Sequence, residues 1–353
     1  MATFISPSAA TVTATFRTAL LTFRSKQTLI LSHNDADGLS AAAILARAFA
    51  VAGKPARTRI LGRGETPWSS AIRDEIAAAD LGGLIVADLG TRSGAIAPGV
   101  PTVILDHHVP TGAPADATLI SGLAFEPAPT SSLLAWWAAG ALADADASLW
   151  LAALGIIGDM AEAAGFPEMT EARRRYGVTA LRDAASLVNA PRRTASGDPG
   201  PALSLLMRAD GPKEVIRGDS MEAQALRAAK AEVKAALEAG KRVGPKVRNG
   251  VALVRFDTPC QIHPLLAQTW RGRLKNEIVL AANANYRPGW VHFSARTVRP
   301  IDLTIFLAER APPGADENYG SGHAAASGGA LRAADWNIFV QSLGFGPDEQ
   351  VPA

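Results

Sequence analysis

Between Thr28 and Asp159, short apolar runs alternate with helical patterns, and no other feature constrains the fold of this 353-residue chain so strongly. The runs are "TLILS", "GLIVADLG" and "TVILDHH"; the helical stretches are "LSAAAILARAFA", "SSLLAWWAAGAL" and "ASLWLAALGIIGDM". Strands that are apolar along their whole length, with helices between them, predict βαβ units and a sheet buried on both faces. The expected fold class is therefore α/β, with a mainly parallel sheet flanked by helices.

Further along, arginine-rich helical sequence leads to the turn "TASGDPGP" and then to "GDSMEAQALRAAKAEVKAALEAG". That segment reads as a long connecting helix capped by Ser220, with Leu226, Ala229, Val233 and Leu237 on its apolar side and Gly240 at its C-terminal cap. A second, smaller α/β set follows: "VALVRF", "PLLAQTWRGRL", "EIVLAAN", "WVHFSAR", "DLTIFLAER" and a final helix around "ALRAADWNIFVQSLG". The expected divisions are a catalytic domain over 1–195, a linker and connecting helix over 196–245, and a C-terminal domain over 246–353. No internal repeat is evident.

Composition narrows the function classes. No window approaches the roughly 18 uninterrupted apolar residues of a membrane span. A single cysteine, Cys260, excludes an intramolecular disulfide and any cysteine-based zinc site, which fits a reducing, cytoplasmic setting. A net charge of +2 and a pI near 8.8 are only mildly basic, so global charge makes no case for a long nucleic-acid track. Acidic residues are absent before Asp35 while Arg17, Arg24 and Lys26 are present, and "ATFRTALLTFRS" reads as a surface helix on the first domain.

Three consecutive expected strands end in ionisable residues: the first leads to His33, Asp35 and Asp37, the second to Asp88, the third to Asp106, His107 and His108. In an open parallel sheet the carboxyl ends share one edge, where ligands bind. Asp159, after "LAALGIIG", can reach the same edge. Singly, each has a bland reading as a turn, a helix cap or a surface histidine. Together they bring five carboxylates close, and these cannot all stay ionised without compensating charge. Oxygen and imidazole donors without thiolate suit Mn²⁺, with Mg²⁺, Co²⁺ and Zn²⁺ as competitors. The number of donors suits two ions, which can clamp a phosphoryl displacement and activate a water.

With "HNDADG" at 33–38, "VADLG" around Asp88, "DHH" at 106–108 and "GDM" around Asp159, the sequence resembles the DHH phosphoesterase superfamily. "YGSGHAAASGGAL", from Tyr319 to Leu331, is similar to the glycine-rich motif of the DHH-associated C-terminal domain of RecJ exonucleases and oligoribonucleases. The resemblance covers about residues 27–345. It implies that His33, Asp35, Asp37, Asp88, His107 and Asp159 are the metal ligands, with Asp88 shared by two ions. It further implies that Asp106 orients the His107 ring and that His108 meets a phosphate oxygen or protonates the leaving alkoxide. In the C-terminal domain it implies a substrate site at Arg296, Gly320, Ser321, Gly322 and His323, with backbone amides forming a nest for phosphate. Ser321 stands where the family usually carries the middle of three glycines before the histidine, which a negative φ would permit.

The activity implied is metal-dependent hydrolysis of single-stranded DNA or RNA, or of short oligonucleotides, from an end, in a cleft between the domains. RecJ enzymes that hold long strands tend to add an oligonucleotide-binding fold, for which this length leaves no room. Trp270, Arg271, Arg273, Lys275, Tyr286, Arg287 and Trp290 supply a modest aromatic and basic surface, which favours short substrates. The alternatives are a small-nucleotide or cyclic-dinucleotide phosphodiesterase, and a non-catalytic scaffold of the same fold. No membrane is expected as a partner, and a homodimer is left open.

Overall fold

The computed structural model of the protein describes residues 8–54, 56–316 and 319–352. It divides into two compact units, residues 1–192 with 197–228, and residues 193–196 with 229–353.

The first unit is built on β1 (Gln27–Ser32), β2 (Ala56–Ile60), β3 (Leu81–Ala87), β4 (Thr102–Asp106) and β5 (Ala117–Ser121), all parallel, in the order β2-β1-β3-β4-β5. Continuous apolar runs form these strands because both faces are covered. Ile30, Ile85, Val103 and Leu105 face the helices Ala36–Val51, Ser131–Ala139 and Leu149–Gly158. Leu29, Leu31, Leu84, Val86 and Ile104 pack instead with Ile72 and Ile76 of the helix Ser70–Ala78. Each such buried aliphatic side chain contributes roughly 2 kcal/mol. The strand order changes direction between β1 and β3, so the crevice beyond their carboxyl ends is the natural ligand position.

The helix Ala9–Leu20 is capped by Ser8 and buries Val12, Phe16 and Ala19 in the first unit's core; it begins earlier than "ATFRTALLTFRS" suggests and ends before that stretch does. The stretch 196–245 is helical over Gly200–Arg208, Pro212–Arg217 and Met221–Lys241. Ser220 caps the last, its hydroxyl accepting from the Ala223 amide at 3.2 Å. Gly240 departs from its expected capping role: it lies inside the helix, where a β-carbon would come within 3.1 Å of Ile262. Its place is set by close packing rather than by helix termination.

The second unit holds β6 (Lys246–Arg248), β7 (Val251–Phe256), β8 (Ile278–Arg287), β9 (Trp290–Arg296), β10 (Gly322–His323) and β11 (Ala326–Arg332) in the order β10-β11-β9-β8-β7-β6. Only β7 and β8 run parallel; the other pairs are antiparallel. On one face Val291, Phe293, Ala295 and Leu331 pack with Trp336 and Phe339 of the helix Ala333–Ser342. On the other, Ala252, Val254, Val279 and Ala281 pack with Leu266 and Ala267 of the helix His263–Arg271. The glycine-rich "GHAAASGGALR" forms the hairpin β10–β11, so the final helix begins at Ala333, later than "ALRAAD" suggests.

Candidate metal centre

Beyond β1, β3 and β4, His33, Asp88 and His107 stand side by side because Ser32 pairs with Ala87 and Ala87 with Leu105. Asp35 is the N-cap of the helix Ala36–Val51, its Oδ1 accepting from the Gly38 amide at 3.1 Å. Asp37 lies in the first turn of that helix, fully buried. Asp159 caps the C-terminus of the helix Leu149–Gly158. All six expected ligands therefore converge from four chain segments.

Their donor atoms form two sets that share one residue. His33 Nδ1 lies 3.0 Å from Asp35 Oδ2 and 3.4 Å from Asp88 Oδ2. His107 Nε2 lies 3.1 Å from Asp159 Oδ2, 3.5 Å from Asp88 Oδ1 and 3.9 Å from Asp37 Oδ2. Within the set His33, Asp35 and Asp88, and within the set Asp37, Asp88, His107 and Asp159, one donor atom per residue falls within 4.8 Å of the others. Asp88 thus turns one oxygen to each set. His108 stands at the margin of the second, its Nδ1 3.9 Å from Asp88 Oδ1. The Asp88 backbone takes the left-handed conformation, φ +63°, as does Met160 beside Asp159, φ +59°. For a residue with a β-carbon that conformation costs roughly 1 kcal/mol, and such strain gathers at functional sites.

The donor set fits divalent cations. Asp159 Oδ2 is shielded from solvent and has no hydrogen-bond donor of good geometry, with His107 Nε2 3.1 Å away as its charged neighbour. A buried carboxylate oxygen left in that state needs a cation. Burial, with Asp88 and Asp159 nearby, pushes the Asp37 carboxyl well above its usual range. Burial works against a charged His33, yet Asp35 and Asp88 outweigh it and hold the imidazole up at about 10. His107, likewise opposed by burial, is raised to about 11 by Asp159, Asp88 and Asp37. Without metal the imidazolium ions supply the compensating charge; a divalent ion would take their place and release their protons.

Three supports of this centre carry no sequence signal. Thr130 caps the helix Ser131–Ala139, whose first amides hold Asp37: Ser131 N–H donates to Oδ2 at 2.8 Å and Ser132 N–H to Oδ1 at 2.9 Å. Ser131 Oγ also donates to Asp88 Oδ1 at 3.0 Å. Asn189 Oδ1 accepts from the Ala36 amide, and Arg192 Nη1 stands 3.5 Å from Asp35 Oδ2. Arg192, together with His33, keeps the Asp35 carboxyl well below its usual range despite burial.

Asp106 departs from the expected pairing with His107. Its Oδ1 accepts from the His108 amide at 2.7 Å and lies 3.2 Å from His108 Nδ1, while Oδ2 accepts from the Gly90 amide. The alternation of side chains past the strand end turns Asp106 away from His107 and toward its second neighbour. His108 is half-exposed, and its bond to Asp106 raises its pKa.

In the second unit the expected substrate residues lie in one row. Ala326 pairs with Arg296 on one side and with His323 on the other, so the three side chains project from the same face. Arg296 Nη1 donates to Ala295 O and Ser327 O; burial and the neighbouring Arg271 lower its pKa. Gly320 and Gly322 have φ of +73° and +128°, and a β-carbon on Gly322 would meet Ala326 O at 2.5 Å. Ser321 is not among the described positive-φ residues, so it fits where a glycine is usual. The Gly320 amide donates to Gly328 O, so this member of the expected phosphate nest is committed to the hairpin.

Fold and site together define a two-unit α/β protein with a carboxylate and histidine cluster at the carboxyl edge of its parallel sheet. Among solved structures, exonuclease RecJ bound to manganese is similar over 99% of this chain and 97% of its own, at 20% identity and a TM-score of 0.65. RecJ from Thermus thermophilus in complex with Mn²⁺ gives 22% identity and a TM-score of 0.67 over 97% of this chain and 55% of that one, so this chain spans about half its length. The DHH domain of a member of a family of ribosomal proteins, at 16% identity, gives a TM-score of 0.67 over 97% and 93% of the two chains. The fold is the one these RecJ and DHH-domain structures share. No protein-family model matches the sequence, and neither does any curated protein. Among the described residues no helix is long and apolar enough to cross a membrane.

Proposed function

We propose that the protein is a phosphodiesterase dependent on two divalent ions, Mn²⁺ being the best suited, that hydrolyses short single-stranded DNA or RNA from an end. The observation that carries this reading is the division of seven donor positions into two sets sharing Asp88. His33, Asp35 and Asp88 would hold one ion; Asp37, Asp88, His107 and Asp159 would hold the other. Bound there, such a pair would draw charge from a phosphoryl oxygen and activate the attacking water.

The chain's own groups do the rest. Arg192, beside Asp35, adds a guanidinium suited to a phosphate oxygen. His108 turns Nδ1 to Asp106, which leaves Nε2 to face the substrate. Made more basic by that carboxylate, it can, when protonated, give the Nε2 proton to the departing alkoxide. Arg296 and His323 bind the nucleotide in the second unit. The lone, buried Cys260 agrees with a reducing cytoplasm.

The test is hydrolysis of end-labelled single-stranded DNA and RNA, from dinucleotide to long oligomer, with Mn²⁺ and with Asp88→Ala as control. Activity on short strands that the variant loses by orders of magnitude supports the reading. Activity confined to mononucleotides or cyclic dinucleotides would reassign the substrate. Inactivity on all of them would leave a scaffold.

A further inference from the structure

The second unit's sheet carries a feature that the metal centre and the Arg296 row leave unexplained. Trp290 pairs with Arg332 of β11 on one side and with Arg287 of β8 on the other. Both guanidinium groups lie over its indole, at 4.3 Å and 4.9 Å from the ring centroid. Both arginines are exposed and neither forms an ion pair with a carboxylate among the described residues. Two cations held side by side on one ring repel each other, and an anion between them relieves that repulsion.

Trp290, His292, Ser294 and Arg296 alternate with the buried Val291, Phe293 and Ala295, so Trp290 and Arg296 share a face. The helix His263–Arg271 packs on that face against β8 and β9, its His263 ring 6.0 Å from His292, and Ser294 is buried beside it. The β11 row beside β9, Ala326, Gly328 and Ala330, bears no side chain larger than a methyl and is half-exposed. Midway along, His292 meets Tyr286 edge-on at 4.8 Å. Arg296 at the far end has Arg271 as its charged neighbour and no acidic partner. The half-exposed β11 row is thus an open strip beside the covered middle of β9, with uncompensated cations at both ends. Six residues of strand separate the ends by ~20 Å.

We propose that this face is a platform for a single-stranded oligonucleotide, with Arg287 and Arg332 around Trp290 as a second phosphate clamp distal to Arg296. The proposal rests on the phosphodiesterase reading above and extends it to substrate length. Charge complementarity selects the occupant: regularly spaced phosphates match cations at both ends, and the flat β11 row of Ala326, Gly328 and Ala330 leaves room for the strand between them. A dinucleotide reaches one end only. A strand of about six stacked nucleotides, at ~3.4 Å each, reaches both, and an extended strand needs fewer. The enzyme should therefore favour short oligomers over dinucleotides in binding.

The experiment is fluorescence anisotropy of labelled oligothymidylates, from dimer to decamer, on the full chain in EDTA, comparing the unaltered protein with Arg287→Ala/Arg332→Ala. Near-UV circular dichroism checks that the variant keeps its packing. Affinity of the unaltered protein should rise with length and level off once both ends are filled. The double variant should bind the longer oligomers about ten-fold more weakly while leaving the dimer unchanged. Its log–log salt slope should shrink by about 1.4, roughly 0.7 for each lost phosphate contact. Equal affinities and salt slopes at every length, or no length dependence in the unaltered protein, overturn the clamp. If Mn²⁺-dependent hydrolysis of a dinucleotide persists in that case, the phosphodiesterase reading stands without it. Absence of hydrolysis on any phosphodiester removes that reading whatever the platform binds.

Discussion

Ser131 Oγ donates to Asp88 Oδ1 at 3.0 Å, while its own amide donates to Asp37 Oδ2 at 2.8 Å, so one residue at a helix start fixes two carboxylates of the candidate centre. Groups that orient ligating carboxylates typically account for ten- to hundred-fold in metal affinity. Ser131→Ala should weaken Mn²⁺ binding about ten-fold, and Ser131→Thr should restore most of it, because only the hydroxyl is lost in the first case. Isothermal titration of Mn²⁺ reads this directly. Equal affinity in Ser131→Ala would show that Asp88 is positioned without it.

Gly155 lets the helix Leu149–Gly158 approach the same carboxylate. A β-carbon there would stand 2.0 Å from Ser132 Oγ and 2.2 Å from Asp37 Oδ1. Both neighbours are buried and held by hydrogen bonds, so neither can move cheaply. Gly155→Ala should cost about 1–3 kcal/mol in urea unfolding, against the slight gain expected of alanine in an open helix. An unchanged midpoint would mean that the helices separate without penalty.

The metal-free protein should lose stability as pH rises above neutrality. The His33 imidazole titrates at 6.5 when unperturbed and at about 10 when folded, so its stabilisation is full below 6.5 and gone above 10. Asp35 and Asp106 run the other way: their carboxyls are depressed below 3.8, so they stabilise above that value and lose the effect on acidification. The raised Asp37 and Asp159 carboxyls act in the same direction as His33, losing their stabilisation as pH climbs from 3.8, so the melting temperature in EDTA should fall from pH 6.5 toward 10. Mn²⁺ binding must displace the imidazolium protons, so its affinity should rise over the same range. A melting temperature that climbs steadily from neutral to alkaline pH would contradict the assignment.

Asp106→Asn removes the anion that raises the His108 pKa. If His108 gives its Nε2 proton to the leaving oxygen, the alkaline limb of the kcat profile should move to lower pH, with the loss of activity greatest on the alkaline side. An unaltered limb would assign His108 a binding role instead.

The candidate ligands were legible because each follows an apolar strand, and a parallel sheet gathers carboxyl ends whatever separates them in sequence. Asp159 was reachable by the same logic from a helix end. Ser131, Asn189 and Arg192 were not, because each serves the centre only through a distant partner, Asp88, Ala36 and Asp35. The pairing of Asp106 with His108 escaped for a more local reason: a side-chain direction past the strand end depends on backbone detail that residue spacing does not carry. The hairpin β10–β11 was hidden because glycine and alanine are poor strand formers, and cross-strand pairing to β9 overrides that propensity. Gly240 looked like a cap because glycines often end helices, whereas here Ile262 and Leu266 need its missing β-carbon.

The most direct test of the shared-ligand centre is the number of Mn²⁺ ions bound per chain, with their electron paramagnetic resonance spectrum, in the unaltered protein and in Asp88→Ala. Two ions with a spin-coupled spectrum are expected, because Asp88 offers one oxygen to each set. The variant should lose the coupling and at least one ion, together with hydrolysis. Two uncoupled ions, or full coupling and hydrolysis retained in Asp88→Ala, would contradict an aspartate bridge as the basis of the site.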